Sequence, residues 1–250
     1  MHLILNYIKG IIDSIFIFKH LFLILQFDVT RKLLFKIISL NFLFWQGIYK
    51  FLCFFSEYFI DINTQILIDI LWFYPLYIII YFLNIKYHSN IISSYFNHKV
   101  KNNISTNIKK YIVHKIWYHL TFICFIIMSS IISYTPFIGI IIYWFFNSLI
   151  YSFFCWEYYW DLMYVNHEDR FILFQNNWIY FLGYGTVFSL LKICLPLYIS
   201  FLIISILYPI LSIKCIDIDL PENDAYQLLS FFNLPFKITY HLLKILRLDL

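Results

Sequence analysis

Charged residues are scarce in this chain of 250 residues. Asp, Glu, Lys and Arg together make up 13% of it, while apolar residues make up 62% and the mean hydropathy is +0.76. A water-soluble globule of this size carries about a quarter charged residues on its surface. The shortage therefore excludes a water-soluble protein and predicts an integral membrane protein. The net charge of +4 is small and spread along the chain, so nothing indicates nucleic-acid binding.

Alanine is almost absent, since Ala225 is the only one. Ile, Phe, Tyr, Asn and Lys dominate instead, and A/T-rich codons encode these amino acids. The aromatic content of 23% therefore follows from codon usage. It does not indicate a base-stacking surface or a cofactor pocket.

Motifs of catalysis and metal binding are also missing. The chain has five cysteines, an odd number, without a CxxC pair, and four of them lie in apolar runs, where reduced, buried thiols are expected. No HExxH, GxSxG, Walker-type or dinucleotide-binding glycine pattern occurs. The sequence therefore predicts a protein that is not an enzyme and has no catalytic residue, metal or cofactor.

Long apolar runs predict an all-α, multi-pass membrane domain over residues 37–213. The last run, 179–213, has 35 residues interrupted by Lys192 and Pro196. A single helix of that length would extend ~52 Å, far beyond the ~30 Å core of a bilayer. We therefore expect a kinked or half-penetrating helical hairpin there. The other expected spans cover about 37–60, 66–83, 116–134 and 137–156.

Amphipathic segments flank this domain. In residues 1–36, Asn6, Lys9, Gly10 and Asp13 recur at helical spacing and form a polar stripe on an apolar helix. This pattern is typical of a helix that lies in the headgroup layer, and a poor first membrane span is the alternative. Within the tail, 214–250, polar residues define one face of a second such helix over 225–250, which could also pack on the membrane domain.

Lysine and arginine predict the orientation. Segment 1–36 holds five of them, the loop 84–115 holds six, and the tail 214–250 holds four, whereas the loop 61–65 holds none. The positive-inside rule then places both termini, the basic loop 84–115 and the loop 157–178 in the cytosol.

Two charged residues at or after the end of the predicted fourth span are candidates for an ion pair. Glu157 follows directly on that span, and an unpaired carboxylate at the hydrocarbon boundary is costly. Arg170 is the only Lys or Arg between Lys115 and Lys192. We hypothesise that Glu157 and Arg170 pair. The alternative is two independent interfacial charges among aromatic residues.

The stretch that contains both charges resembles a known family. "CWEYYW", a downstream Arg and "NNWIYFLGYG" are similar to the pattern of the etoposide-induced protein 2.4 family. Weaker likenesses lie in "KGIIDSI" (9–15) and "P…AYQLLSFFNLPF" (221–236). The amino-terminal region is shorter than in the family and lacks a basic charged run, and the long charged tail is missing. The matching residues, candidates for structural or interaction roles, are Cys155, Glu157, Tyr158, Trp160, Arg170, Asn177, Trp178, Tyr180, Gly183 and Gly185.

This resemblance implies a multi-span protein of the endoplasmic-reticulum membrane that supports autophagy, without known catalysis. Its expected partners are the lipid bilayer and other membrane or autophagy proteins, and its expected role is that of a scaffold or membrane-shaping factor. The family is similar to the bacterial CysZ sulfate permeases, which combine spans with half-penetrating hairpins. The alternative function is therefore a small-anion channel or permease, with Lys50, Arg170 and Lys192 along its path. No oligomeric state is indicated.

Overall fold

The structure, a computed structural model, describes residues 2–44, 74–99 and 138–221 together with isolated positions elsewhere. Every regular element in these ranges is helical, as the sequence predicts, and no strand occurs in them. The helices are α1 (His2–Ile15), α2 (Phe18–Gln26), α3 (Asp28–Phe42), α4 (Tyr74–Lys99), α5 (Gly139–Leu162), α6 (His167–Asn176), α7 (Trp178–Cys194) and α8 (Leu197–Lys214), followed by a 3₁₀ turn, Cys215–Asp217.

Helix α7 lies at the centre of the described part. α1 and α5 pack on it from two sides, and α8 runs back along it after the break at Pro196. Proline has no backbone N–H and disfavours a helical residue before it, so one helix ends and another begins here. The two arms have 17 and 18 residues. At ~1.5 Å per residue they extend about 25 and 27 Å.

Several helices cross the segment boundaries that the sequence suggests. α3 begins at Asp28, before the expected span 37–60, and α4 continues beyond residue 83 to Lys99. α5 ends at Leu162, so Glu157 lies within a helix instead of in the loop 157–178. Hydropathy locates apolar stretches, whereas helical hydrogen bonding continues through polar residues, which explains these differences.

Some predicted features lie outside the described residues. They include Lys50, nearly all of the expected span 116–134, the part of the basic loop after Lys99 and nearly all of the helix expected at 225–250. Among the described residues, two helical stretches, Gly139–Leu162 and Ile199–Asp217, are by length and composition apolar enough to cross a membrane. α7 is apolar but shorter.

Two apolar cores hold the described helices together. The larger one joins α5, α7 and α8, and includes Trp156, Phe181 and Leu211. In the second, α2, α3 and α4 meet the carboxy-terminal half of α8, where Ile37 and Ile213 are completely buried. α8 therefore connects α2, α3 and α4 to the central α5–α7 pair.

The polarity of α1 is inverted relative to a helix on a water-soluble protein. Asn6, Gly10 and Ser14 face inward, whereas the side chains of Ile4 and Leu5 are 64% and 55% exposed. A surface helix in water would bury its apolar face. The polar stripe predicted to face headgroups thus lies partly against protein, because Asn6 and Gly10 belong to the buried face.

We predict that His88 on α4 makes the fold sensitive to acid. Its ring is buried beside Tyr208, with centroids 5.1 Å apart, and desolvation lowers its pKa from 6.5 to about 3. The pKa of His88 is lower in the folded state than in the unfolded state. The contribution of the neutral ring to the free energy of unfolding is therefore complete above pH 6.5 and declines as the pH falls toward 3. Between about pH 7 and pH 5 the loss is about 2 kcal/mol. Thermal unfolding in neutral detergent measures it.

The variant His88→Phe keeps an aromatic ring against Tyr208 but cannot be protonated. Its unfolding midpoint should decline less than that of the parent protein between neutral pH and pH 5. His2→Phe, at an exposed position, provides the matched control and should retain the acid sensitivity. Parallel declines in the parent and His88→Phe would contradict the prediction.

Candidate functional site

The family-motif residues gather around the amino-terminal half of α7. α5 supplies Cys155, Glu157, Tyr158 and Trp160, and α6 supplies Arg170. Asn177 separates α6 from α7, which carries the remaining four. Nine of the ten residues are buried, and Trp178 is half-buried. The structure therefore brings distant parts of the motif into one buried region.

Glu157 and Arg170 form an ion pair in this region. The distance between Arg170 Nη1 and Glu157 Oε1 is 2.5 Å, and both side chains are 5% exposed. Arg170 Nε also donates to the carbonyl oxygen of Val165 at 2.7 Å, and Asp161 lies 3.7 Å from Nη2. The pair thus connects the last turns of α5 to the first turn of α6.

The turn between α5 and α6 reverses the chain, so that Arg170 lies next to Glu157. Tyr164 has a φ of 55°, a left-handed conformation that reverses the chain after Leu162. The amide of Val165 then donates to the carbonyl of Trp160 at 3.0 Å. A non-glycine residue at positive φ carries some strain, and here the ion pair and these backbone bonds offset it.

Gly183 and Gly185 allow helix backbones to touch. A Cβ atom on Gly183 would overlap the carbonyl oxygen of Tyr7 on α1, and one on Gly185 would overlap the carbonyl oxygen of Ser148 on α5. Residues two apart point about 200° apart around a helix, so the two glycines serve opposite faces of α7. Gly10 on α1 makes the same kind of close contact with α7, because a Cβ atom added to Gly10 would overlap the carbonyl oxygen of Tyr180.

Hydroxyl groups reinforce both crossings. Tyr7 Oη lies 3.3 Å from Thr186 Oγ1 between α1 and α7. Between α5 and α7, Ser148 donates to Ser189 at 2.9 Å, and Ser152 donates to the Phe181 carbonyl at 2.6 Å. Small and hydroxylated residues are typical of close helix contacts in membranes, where hydrogen bonds between helices stabilise association.

Aromatic rings pack between α5 and its neighbours α7 and α8. Trp156 has edge-to-face contacts with Tyr180, Phe181 and Tyr184 of α7, at centroid distances of 5.6 to 6.3 Å. Such arrangements are favourable for ring quadrupoles. Tyr158 points to another neighbour, Tyr208 of α8.

Asn177 marks the boundary between α6 and α7. Its Nδ2 donates to the Leu173 carbonyl at 3.0 Å, and its own carbonyl accepts from the amide of Phe181 at 3.1 Å. The side chain thus satisfies the end of one helix while the backbone begins the next. Cys155, another motif residue, is a buried free thiol on α5.

A polar connection links the amino-terminal helices to the start of α7 and the end of α8. Tyr180 donates to Asp13 at 3.0 Å, and Lys214 donates to the carbonyl of Phe16 at 2.8 Å. His20 Nε2 lies 3.1 Å from Asp217 Oδ2. Burial lowers the pKa of His20, although Asp217 acts in the opposite direction.

Of the three predicted anion-path residues, the structure describes Arg170 and Lys192, and their described contacts are with different groups. Lys192 lies 14 residues after Trp178, the first residue of α7. At ~1.5 Å per residue, the two residues are about 21 Å apart along the helix axis. Its ammonium contacts Asn147 Oδ1 at 3.3 Å and lies over the rings of Tyr143 and Tyr151. Arg170 already pairs with Glu157. Lys50 lies outside the described residues.

The charged groups of this region are engaged in contacts within the protein. The buried arginine pairs with the carboxylate of Glu157, and it also contacts the carbonyl of Val165 and Asp161. Within the described ranges, no group of three or more His, Cys, Asp or Glu residues could hold a metal ion.

Sequence reasoning missed the residues that complete the helix crossings. Gly10 was recognised as part of a polar stripe, but its contact with α7 was not predicted, and Ser148 was not singled out. The spacing of Asn6, Gly10 and Ser14 by four residues is a signal that could have found one crossing, because small residues at this spacing mark close helix contacts.

Comparison with known proteins identifies similar chains. A family model described as "Sulfate transporter CysZ/Etoposide-induced protein 2.4" matches residues 16–201. The Protein EI24 homolog of Dictyostelium discoideum is 32% identical over 154 residues, which are 58% of this chain and 48% of that protein. The homolog of Arabidopsis thaliana is 31% identical over 91 residues, 36% of this chain and 28% of that protein. The alignments thus cover about half of the first relative and under a third of the second. No solved structure matches.

We predict that the α7 crossings tolerate no additional methyl group. Gly183→Ala and Gly185→Ala would each drive a Cβ into the backbone of a neighbouring helix, so both should reduce the folded yield and lower the thermal midpoint. The cost should be at least about 1–3 kcal/mol. Size-exclusion profiles and thermal unfolding in detergent measure it.

Gly47→Ala is the matched control, since the nearest atom to its Cβ would be Leu43 Cδ1 at 3.9 Å. Alanine favours helix by about 1 kcal/mol over glycine, so this variant should be unchanged or more stable. Equal behaviour of all three alanine variants would refute the close-crossing interpretation.

The buried ion pair should be costly to break on one side. Glu157→Gln or Arg170→Gln alone leaves an uncompensated charge, and each should destabilise the protein by about 3–5 kcal/mol. The double variant removes both charges, so its loss in free energy of unfolding should be smaller than the sum of the losses of the two single variants. A double-mutant cycle by thermal or denaturant unfolding measures the coupling.

The exposed pair of Asp28 and Arg31 provides the comparison. Asp28→Asn should change stability by less than about 1 kcal/mol, because water screens an exposed pair. Additive effects of Glu157→Gln and Arg170→Gln would mean that the two charges stabilise the fold independently.

Proposed function

The chain belongs to the sulfate transporter CysZ/etoposide-induced protein 2.4 family, and from this premise we propose that it supports autophagy as a non-enzymatic scaffold or membrane-shaping factor. It resides in the endoplasmic-reticulum membrane as a multi-pass protein with both termini in the cytosol. The orientation rests on the distribution of lysine and arginine.

The observation that carries this proposal is the fixed, outward-facing apolar surface of the amino-terminal helices. α1 is held to α7 at Gly10 and Gly183, yet Ile8 and Ile12 remain 44% and 47% exposed. A helix that inserts apolar side chains into one leaflet displaces lipid and favours curvature. Because α1 is held by the membrane domain, its insertion would transmit strain to the bilayer at a defined depth.

The second candidate is movement of a small anion, which the sulfate-transporter part of the family description favours. Lys192 would guard one end of the path and Lys50 another part of it. Against this role, Arg170 is neutralised by Glu157, and the described residues do not place it near Lys192. We therefore rank anion movement below the scaffold role.

We predict that depletion of the protein lowers autophagic flux. Wild-type protein should restore the flux, whereas Ile8→Asn/Ile12→Asn should not, because asparagine at both exposed positions weakens insertion of α1 without touching its α7 contacts. Turnover of an autophagy marker with and without lysosomal inhibition measures flux, and microscopy measures localisation. A loss of at least half of the flux is expected.

Ile8→Leu/Ile12→Leu keeps the surface apolar and should restore flux as well as wild type. Normal flux after depletion, with the protein on another membrane, would exclude the scaffold role. Uptake of labelled sulfate into proteoliposomes tests the alternative. Saturable uptake that Lys50→Ala or Lys192→Ala abolishes would favour the anion pathway.

A further inference from the structure

We propose that the outward surface of α2 and α3 is a docking surface for the anionic headgroup layer of a bilayer. Lys19, Lys32 and Lys36 would contact the phosphate and carboxylate groups of acidic lipids. This inference rests on the proposed membrane-shaping function and specifies the class of lipid that the helices next to α1 would bind.

The three lysines are exposed and available. All lie on the outward faces of their helices, and none forms an ion pair with another described residue. Lys32 and Lys36 are one helical turn apart on α3, so their ammonium groups can reach the same layer. Lysine is a compact cation on a flexible stem, and about 1 kcal/mol per residue is typical near an anionic membrane surface.

Large apolar side chains surround these lysines on the same faces. Phe18 and Phe22 on α2 are 77% and 68% exposed, and Phe35 on α3 is 57% exposed. Isolated exposed apolar residues are ordinary, but several large apolar residues interspersed with lysine on the same helices are typical of surfaces that lie in the membrane interface. The rings would enter the acyl boundary while the ammonium groups stay among the headgroups.

The opposite faces of α2 and α3 pack against other parts of the described fold. His20 contacts Asp217, and Ile24 and Ile37 are completely buried in the second core with Ile213. Thr30 also donates to the Ile24 carbonyl at 2.7 Å, which holds the turn between α2 and α3. These contacts prevent the lysine-bearing faces from turning inward, so their available partner is outside the described fold.

Nearby acidic groups do not cancel the positive charge of this surface. Asp28 pairs with Arg31, Asp217 pairs with His20, and Asp13 accepts from Tyr180. Asp219 is exposed near Lys9, which donates to its carbonyl at 3.1 Å, so Lys9 is not included in the surface. Within the part of the chain that the structure describes, no acid pairs with Lys19, Lys32 or Lys36, so these three cations are complementary to an anionic headgroup layer.

The test measures lipid binding to the full-length protein in neutral detergent by native mass spectrometry. The probes are phosphatidylserine, phosphatidylcholine with the same acyl chains, and inorganic phosphate. Wild type should bind phosphatidylserine at least tenfold more tightly than phosphatidylcholine. Lys19→Gln/Lys32→Gln/Lys36→Gln should lose at least tenfold in phosphatidylserine affinity, since each lysine is worth about fivefold.

The triple Lys→Arg variant keeps the charge and should retain the preference for phosphatidylserine. Lys86→Gln removes an exposed lysine from α4 and should have no effect. Unchanged thermal midpoints would show that the triple Gln variant is folded. Equal binding of the two lipids, unchanged binding by the triple Gln variant, or displacement of the lipid by excess inorganic phosphate would each overturn the proposal.

These results separate the inference from the function on which it rests. Loss of lipid preference in a protein that still supports autophagic flux would refute the docking surface alone. A clear preference for phosphatidylserine supports the docking surface even if flux does not depend on the protein, in which case only the scaffold role fails.

Discussion

Backbone contact on two opposite faces of α7 is the constraint from which the rest of the described fold follows. Gly183 admits α1 and Gly185 admits α5, and the 200° between them places these neighbours on opposite sides. Any side chain at either position would separate a pair of helices and open the interfaces around it. The short glycine-tyrosine-glycine segment therefore sets the distances at which the aromatic rings and hydroxyl groups of α1, α5 and α7 meet.

The buried ion pair depends on this close packing. An arginine and a glutamate removed from water lose several kcal/mol of hydration each, and only good geometry with additional hydrogen bonds compensates for the loss. Packing of α5 on α7 positions Glu157, and the left-handed Tyr164 returns α6 so that Arg170 reaches it. The pair in turn fixes the α5–α6 connection. Packing and electrostatics thus stabilise each other in one region.

Sequence reasoning predicted local features better than contacts between distant segments. Proline chemistry explains why the run 179–213 divides at Pro196, and the cost of a lone carboxylate led to the hypothesis that Glu157 pairs with Arg170. The partner of Gly183 could not be predicted, because Tyr7 is far away in the chain and a polar stripe does not reveal whether it faces headgroups or another helix. α4 likewise continued beyond its apolar part, since hydropathy does not report backbone hydrogen bonding.

For the placement in a bilayer that we propose, the inverted polarity of α1 follows from a difference in driving force between water and lipid. In water, burial of Ile4, Ile8 and Ile12 would dominate the packing of this helix. Next to acyl chains these residues gain little from burial, whereas small and polar groups gain close contact and hydrogen bonds. Asn6 and Gly10 therefore face the protein while isoleucine faces outward. Within the proposed function, the contacts between α1 and α7 that select this orientation also hold α1 in place while its isoleucine side chains insert into the bilayer.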